Sequence, residues 1–547
     1  MIGATWIRCV ALAAMLAPAL PAPATERGPE RMAEQTLTVR EAIESALEKN
    51  ENIFIERESL SSAEAAVSGA RGVYDPLLEI DAGWLQQSLP VNSAFSGAPD
   101  AEPAATHERL DAQTSVRQLL STGGELSFRA AAARATTDSV FTFLTPAYDT
   151  AVGLEARQPL LRGLAIDRYR LTIRIAEAGR EQASAELRVE VADTVAEVER
   201  AYWTLVALRE AVGVREDAVR LAEEQLEETR ARIETGAAPD TEVAQPLAEL
   251  ERRRGDLLAT REAVARAQNA LKLLILADSD SDSWDRTLVP VERADVEGVD
   301  IDVVAAIEQA LASRPELDAA EAFEQRRRVE REFTRDEVRP SLDVVVSYDR
   351  FGLAGWLNPA GAPPGLPGTV PPELQGGLGS SFDSLTDGDF DDLRAGVVFA
   401  IPIGNRTAKA AAAIASNAER QAAAEVSRAR KAVRAEVLDA AAAIDTAYQR
   451  VEAARAALEA AQVQLDAEQE RFDAGLSTNF LVLTRQNDLE SSRIDEIRAR
   501  TDYRTARTAM ARATGSLLDE RGITLQDAAE RGDARAAGTD STGGEVR

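Results

Sequence analysis

Two runs of apolar residues spaced by seven constrain this chain more than any other feature. Val198, Leu205, Val212, Val219, Leu226 and Ile233 form the first run. Val437, Ile444, Val451, Leu458, Leu465 and Phe472 form the second, each displaced by 239 positions from its counterpart. A strict seven-residue apolar period held over many turns makes helices that supercoil against neighbours. Alanine-rich stretches such as AAAIDTA and EAARAALEAA permit close approach on a second face. The helices that carry the runs, roughly 163–234 and 404–473, hold about 70 residues each and reach about 105 Å at 1.5 Å per residue. No globular domain is that long.

The rest of the chain repeats around them. Residues 42–84 begin AIESAL and carry Pro76 before LLEIDAGW; residues 306–348 begin AIEQAL and carry Pro340 before SLDVVVSY. RIETG ends at Gly236 and RFDAG at Gly475. The spacing predicts a first repeat over 36–276 with strands in 73–158, a linker over 277–302, a second repeat over 303–520 with strands in 341–402, and a disordered polar tail over 521–547. Helices 41–71 and 303–338 precede the strands, and helices 240–276 and 478–518 follow the tight turns. Each is close to half the long helix, so two stacked end to end match one long helix. The expected fold is α+β: a tall α-helical cylinder with a sheet at one end.

Six segments show partial alternation: 74–88, 109–120, 125–134, 148–158, 341–351 and 393–402. Segments of about 10 residues with this faint signature suit barrel strands. The 91–108 and 352–391 segments read as long surface loops, and STGG at 121–124 as a short turn. After the N-terminal segment, apolar runs such as Leu271–Ala277, which is itself broken by Lys272, are well below spanning length. Any membrane crossing must therefore be a closed β-barrel. Four to six strands are too few for a conducting barrel, so several copies must close it together.

Composition removes most other functions. Residues 1–24, with Arg8, an apolar stretch from Cys9 to Leu20 and Ala22-Pro23-Ala24, read as a signal peptide cleaved near Thr25. Cys9, the only cysteine, leaves with it, and His107 is the only histidine. Cys/His metal sites and a Ser-His-Asp triad are excluded, no phosphate-binding glycine loop is present, and no cofactor is expected. A net charge of −30 argues against nucleic acid. The acidic run DSDSDSWD at 278–285 lacks the Gly and Glu of a calcium loop, having Ser283 and Val289 there. That run and TDGDFDDL at 386–393 read as solvated acidic loops, so neither a metal nor an enzymatic activity is expected.

LTVREAIESALEKN, ARGVYDPLLEI, QPLLRG at 158–163, RIETGAAPDTEV, RPSLDVVVSY, IPIGNR at 401–406 and RFDAGLSTNFLVL occur in order on this framework. From about 36 to 520 the chain resembles the TolC-type outer membrane efflux proteins. The resemblance implies a homotrimer whose twelve-stranded barrel in outer membrane lipid continues into a periplasmic helical tunnel. It implies an exit duct for a tripartite efflux system, with a periplasmic adaptor and an inner membrane transporter as partners. The alternatives are the same fold serving type I protein secretion and a periplasmic coiled-coil scaffold that never inserts.

By the same resemblance, Gly236, Ala237, Ala238, Gly475, Leu476 and Ser477 form adaptor-docking tips, and Asp240, Glu242, Phe472, Leu481 and Thr484 lie at the periplasmic gate. Leu481 and Thr484 stand where acidic residues can form a second ring, which implies a gate acidic in one repeat and apolar in the other. Asp240 and Glu242 have a plainer reading as helix caps, and Phe472 as core packing along the heptad seam. The first strand region is longer than the second by an apparent hairpin around STGG. The expectation adopted is twelve strands with that hairpin on the rim; its entry into the barrel would give eighteen.

Overall fold

The computed structural model describes residues 34–523 apart from 91–96, 99–103, 237–238, 278–281, 360–369 and 389. The signal peptide, nearly all of the 521–547 tail and part of the DSDSDSWD run therefore lie outside the described residues. The first half runs β1 (Glu34–Leu37), α1 (Val39–Lys49), α2 (Glu51–Arg71), β2 (Leu77–Ser88), β3 (Thr106–Leu119), β4 (Glu125–Thr137), β5 (Leu144–Pro159), α3 (Arg168–Glu234) and α4 (Ala244–Ile275). After β6 (Thr287–Pro290), the second half runs α5 (Val303–Ser313), α6 (Pro315–Asp336), β7 (Ser341–Leu357), α7 (Leu378–Asp387), β8 (Asp391–Ala400), α8 (Arg406–Asp473), α9 (Asn479–Thr514) and α10 (Leu517–Glu520).

Local chemistry sets the helix boundaries. Thr38 and Glu41 form a reciprocal capping box at the start of α1. The single helix expected over 41–71 is two, because Asn50 is extended and its side-chain oxygen accepts from the amides of Asn52 and Ile53. Arg314 divides the 303–338 helix in the same way: proline at the next position disfavours a helical conformation there. α3 starts at 168 and not at 163, where Asp167 accepts from the Tyr169 and Arg170 amides at 2.8 Å each. α3 and α8 hold 67 and 68 residues, which spans about 100 Å.

The heptad residues face inward to different degrees. Val198 and Leu205 are fully buried with Tyr202 and Leu271, and Val437 packs with Ala310, Leu317 and Met510. Ile444 and Val451 meet Ala499 and Tyr503, and Leu226 meets Ala222 and Leu250. Val212, Val219, Ile233, Leu458, Leu465 and Phe472 are half-buried. Each fully buried Val or Leu contributes about 1.5–3 kcal/mol relative to exposure.

The six long strands form one antiparallel sheet in the order β2-β3-β4-β5-β7-β8. The hairpin around STGG is thus part of the sheet and not a rim decoration: β3 and β4 pair with each other, β3 with β2, and β4 with β5. Six strands per chain replace the four that a twelve-stranded trimer needs. The register lines Ile80, Trp84, Leu110, Val116, Phe128, Val152, Leu154, Val346, Val397 and Phe399 along one face. Glu79, Asp81, Gln113, Arg117, Arg129, Arg157, Asp343, Asp349 and Arg394 lie on the other. Ile80, Trp84, Val397 and Phe399 are all well exposed in the single chain. Apart from the patch around Thr150 and Gly352, which α7 covers, and Arg134 and Arg350 toward the loop end, this face is apolar and without protein cover; backed by a charged face, it has the pattern of a membrane barrel wall.

Two elements depart from the sequence reading. β1 pairs in parallel with β6 inside the segment read as a linker; four residues are too few to alternate visibly. α7 lies within the segment read as a loop and buries Ser381 and Ser384; its apolar residues Leu378, Phe382 and Leu385 keep helical spacing, but over ten residues beside a Pro- and Gly-rich stretch that signal is short. The helix lies over Thr150 and Gly352, where a Cβ at 352 would come within 2.0 Å of the Ser381 carbonyl oxygen.

Candidate functional site: the paired hairpin tips

Both long helices end in glycine turns at the pole opposite the sheet. Gly236 has φ +72° and Gly475 φ +77°, and an added Cβ would meet nothing within 4 Å at either. Backbone conformation alone selects glycine there. The Gly475 turn closes with the Leu476 amide donating to the Arg471 carbonyl at 2.8 Å. The Ser477 hydroxyl contacts Glu468, itself buried and 3.3 Å from Arg471. Ala237 and Ala238 lie outside the described residues.

Beyond the turns, the residues assigned to the gate differ in surroundings. Asp240 and Glu242 are exposed on a 3-10 turn before α4. Neither Pro239 nor Val243 makes a side-chain capping bond. In the second tip Val482 and Leu483 are buried while Leu476, Phe480 and Leu481 are exposed. The Thr484 hydroxyl donates to the Phe480 carbonyl at 2.8 Å, so it is engaged within its own helix. Phe472 is half-buried, and the Arg232 guanidinium lies over its ring at 5.5 Å from the centroid. That cation–π contact joins the two tips.

The residue that sequence reading missed is Arg253. It is 2% exposed, and it donates from Nη1 to the Ala218 carbonyl at 2.8 Å, from Nη2 to Asn487 Oδ1 at 3.0 Å and from Nε to Glu249 at 2.8 Å. One side chain thereby ties α4 to α3 and to α9 of the other half. A run of three arginines, 252–254, reads as a solvated face; the available signal was that Arg253 sits between the inward-facing Leu250 and Leu257. Further polar ties run along α3 and α9: Arg215 to Glu490, Arg500 to Glu210 at 2.6 Å, Thr508 to Glu199, and Arg512 to Asp193.

Burial raises the Glu249 pKa, but bonds from Arg252 and Arg253 outweigh it and hold the carboxyl below the usual glutamate value. A depressed folded-state pKa gives stability that is present above the unfolded-state value and is lost as pH falls through the folded one. The gap in urea midpoint between wild type and Glu249→Gln is therefore expected to be full at neutral pH and to close in acid, below the ordinary glutamate range.

Among the described residues no group of His, Cys, Asp and Glu is arranged to hold a metal, and no helix is long and apolar enough to cross a membrane. The family model for outer membrane efflux proteins matches residues 42–275 and 306–516. The chain belongs to the outer membrane efflux protein family. No curated protein matches the sequence. Among solved structures, the Campylobacter jejuni CmeC outer membrane channel aligns with a TM-score of 0.62 at 14% identity, over 90% of this chain and 89% of that one. The outer membrane channel OprN aligns at 0.60 and 14%, covering 87% and 90%. The open state of the Neisseria gonorrhoeae MtrE channel aligns at 0.57 and 17%, covering 88% and 89%. These identities speak to fold, which this efflux protein shares along nearly its whole length.

Proposed function

We propose that this efflux protein is a passive exit duct: three copies close their sheets into one barrel in the outer membrane, and their long helices enclose a periplasmic tunnel. The observation that carries this is the sheet, apolar on one face and charged on the other, standing at one end of helices about 100 Å long. A scaffold that stays in the periplasm has no use for an uncovered apolar sheet face. The matched repeat order supports an internal duplication that supplies each copy with two hairpin tips.

On this reading the tips dock a periplasmic adaptor, with Leu476 and Phe480 offering exposed apolar contacts, and an inner membrane transporter supplies the energy. Asp240 and Glu242 line the entrance from the first tip, Leu481 from the second. Leu481→Asp is expected to add an acidic ring, making single-channel current cation-selective and sensitive to block by a trivalent cation. Reversal-potential measurements against wild type read this directly.

Membrane fractionation tests the duct itself. The reading expects the processed chain in the outer membrane, released only by detergent and cross-linked as a trimer. Recovery in the soluble periplasmic fraction would return the scaffold alternative.

A further inference from the structure

We propose that the barrel has eighteen strands, because β3 and β4 are an inserted hairpin that widens its wall. This rests on the trimeric duct reading. β2 and β7 each follow a short helix through Pro76 and Pro340; β5 and β8 lead toward α3 and α8 through Pro159 and Pro402. β2 and β5 thus correspond to β7 and β8, and β3–β4 has no counterpart in the second half.

The hairpin is built as wall. Its register continues that of its neighbours: Ala82 faces Ala112, Ala112 faces Ala132, and Ala132 faces Thr150. Thr114, Ala130 and Val152 continue the apolar face in the next row. On the charged face, Arg129 of the hairpin reaches over β5 to Asp349 of β7 at 3.3 Å. The bridge passes above Gly153, where a Cβ would lie 2.1 Å from the Asp349 carboxylate oxygen. Glycine at 153 leaves room for an ion pair that only a wall-integrated hairpin can make. Arg109 of β3 likewise lies 3.7 Å from Asp149 of β5. At the tunnel end the STGG turn is fastened to the segment entering α3: Gln158 donates to the Thr122 carbonyl at 3.1 Å, and a Cβ on Gly123 would meet the Gly163 carbonyl at 2.6 Å.

Closure follows from strand direction. Six alternating antiparallel strands leave β2 and β8 as edges running in opposite senses, so β8 of one copy meets β2 of the next as an antiparallel pair. In lipid, unpaired edge amides and carbonyls are too costly to leave open. At about 4.8 Å between strands and about 40° of tilt, eighteen strands give a backbone radius of about 18 Å and twelve about 12 Å. The inserted hairpin therefore widens the outer mouth without altering the helical tunnel, which suits a duct that releases bulky solutes.

Single cysteines introduced into the full chain test this, since the only native cysteine is Cys9. Ala112→Cys and Ala130→Cys mark the apolar face of the hairpin, and Gln113→Cys and Ala131→Cys the charged face. Val346→Cys and Ser347→Cys mark the two faces of β7. Outer membranes are treated with a water-soluble maleimide. The expected result is slower labelling, by about tenfold, at the apolar position of every pair, because lipid-facing sites are withheld from water. Equal labelling on both hairpin faces with alternation retained in β7 would overturn the eighteen-strand wall and leave the duct standing. Loss of alternation in β7 as well would overturn both.

Discussion

Replacing Arg253 with alanine is expected to lower stability by about 3–5 kcal/mol, the cost of breaking a buried charged network. Three groups on three helices lose a bond at once: the Ala218 carbonyl, Asn487 and Glu249, of which Glu249 keeps Arg252 as a donor. Two of them belong to the first half of the chain and one to the second, so the change also releases one half from the other near the entrance. Arg253→Lys cannot reproduce the planar fork and is expected to recover only part of the loss. Arg253→Met restores volume without charge and separates packing from hydrogen bonding. Urea unfolding followed by helical circular dichroism measures the shift. Coupling to Asn487→Ala in a double-mutant cycle assigns the share that crosses between halves. A midpoint for Arg253→Ala equal to wild type would show that the buried arginine ties nothing together.

Positions on the two faces of β5 are expected to respond oppositely to the same substitution. Leu154, flanked by Phe128 and Tyr348 and well exposed, lies on the apolar face, where Leu154→Arg places a charge that costs about 2–4 kcal/mol within the bilayer. Ala151→Arg places it on the charged face, where the cost is expected to be small. The measurement is the yield of folded, heat-resistant trimer in the outer membrane. Leu154→Arg should deplete it strongly and Ala151→Arg should leave it near wild type. Equal yields would mean that the apolar face meets no lipid.

The long helices were legible because seven-residue spacing is a strong signal and nothing interrupts α3 or α8 over 67 and 68 residues. Strand positions were legible within a few residues where prolines bracket them, but β7 runs on to Leu357, into the segment read as a loop from 352. The fate of the STGG hairpin was not: pairing on both sides depends on Arg129 meeting Asp349 and on Gly153 making room, which no local pattern encodes. The breaks at Asn50 and Arg314 are single-residue events inside otherwise continuous helical stretches. At the tips, glycine announced the turns, yet the contact of Arg232 with Phe472 joins residues 240 positions apart in the chain. Arg253 was hidden because a charged triplet on a helix ordinarily faces water, and its burial depends on a carbonyl and an amide from two other helices.

The measurement that tests the central claim most directly is single-channel recording from the purified trimer in a planar bilayer, for wild type and Arg253→Ala. A duct with a tip gate predicts discrete unitary steps, small in wild type and larger once the lock near the entrance is released. A folded, inserted trimer that gives no steps in either form would contradict it.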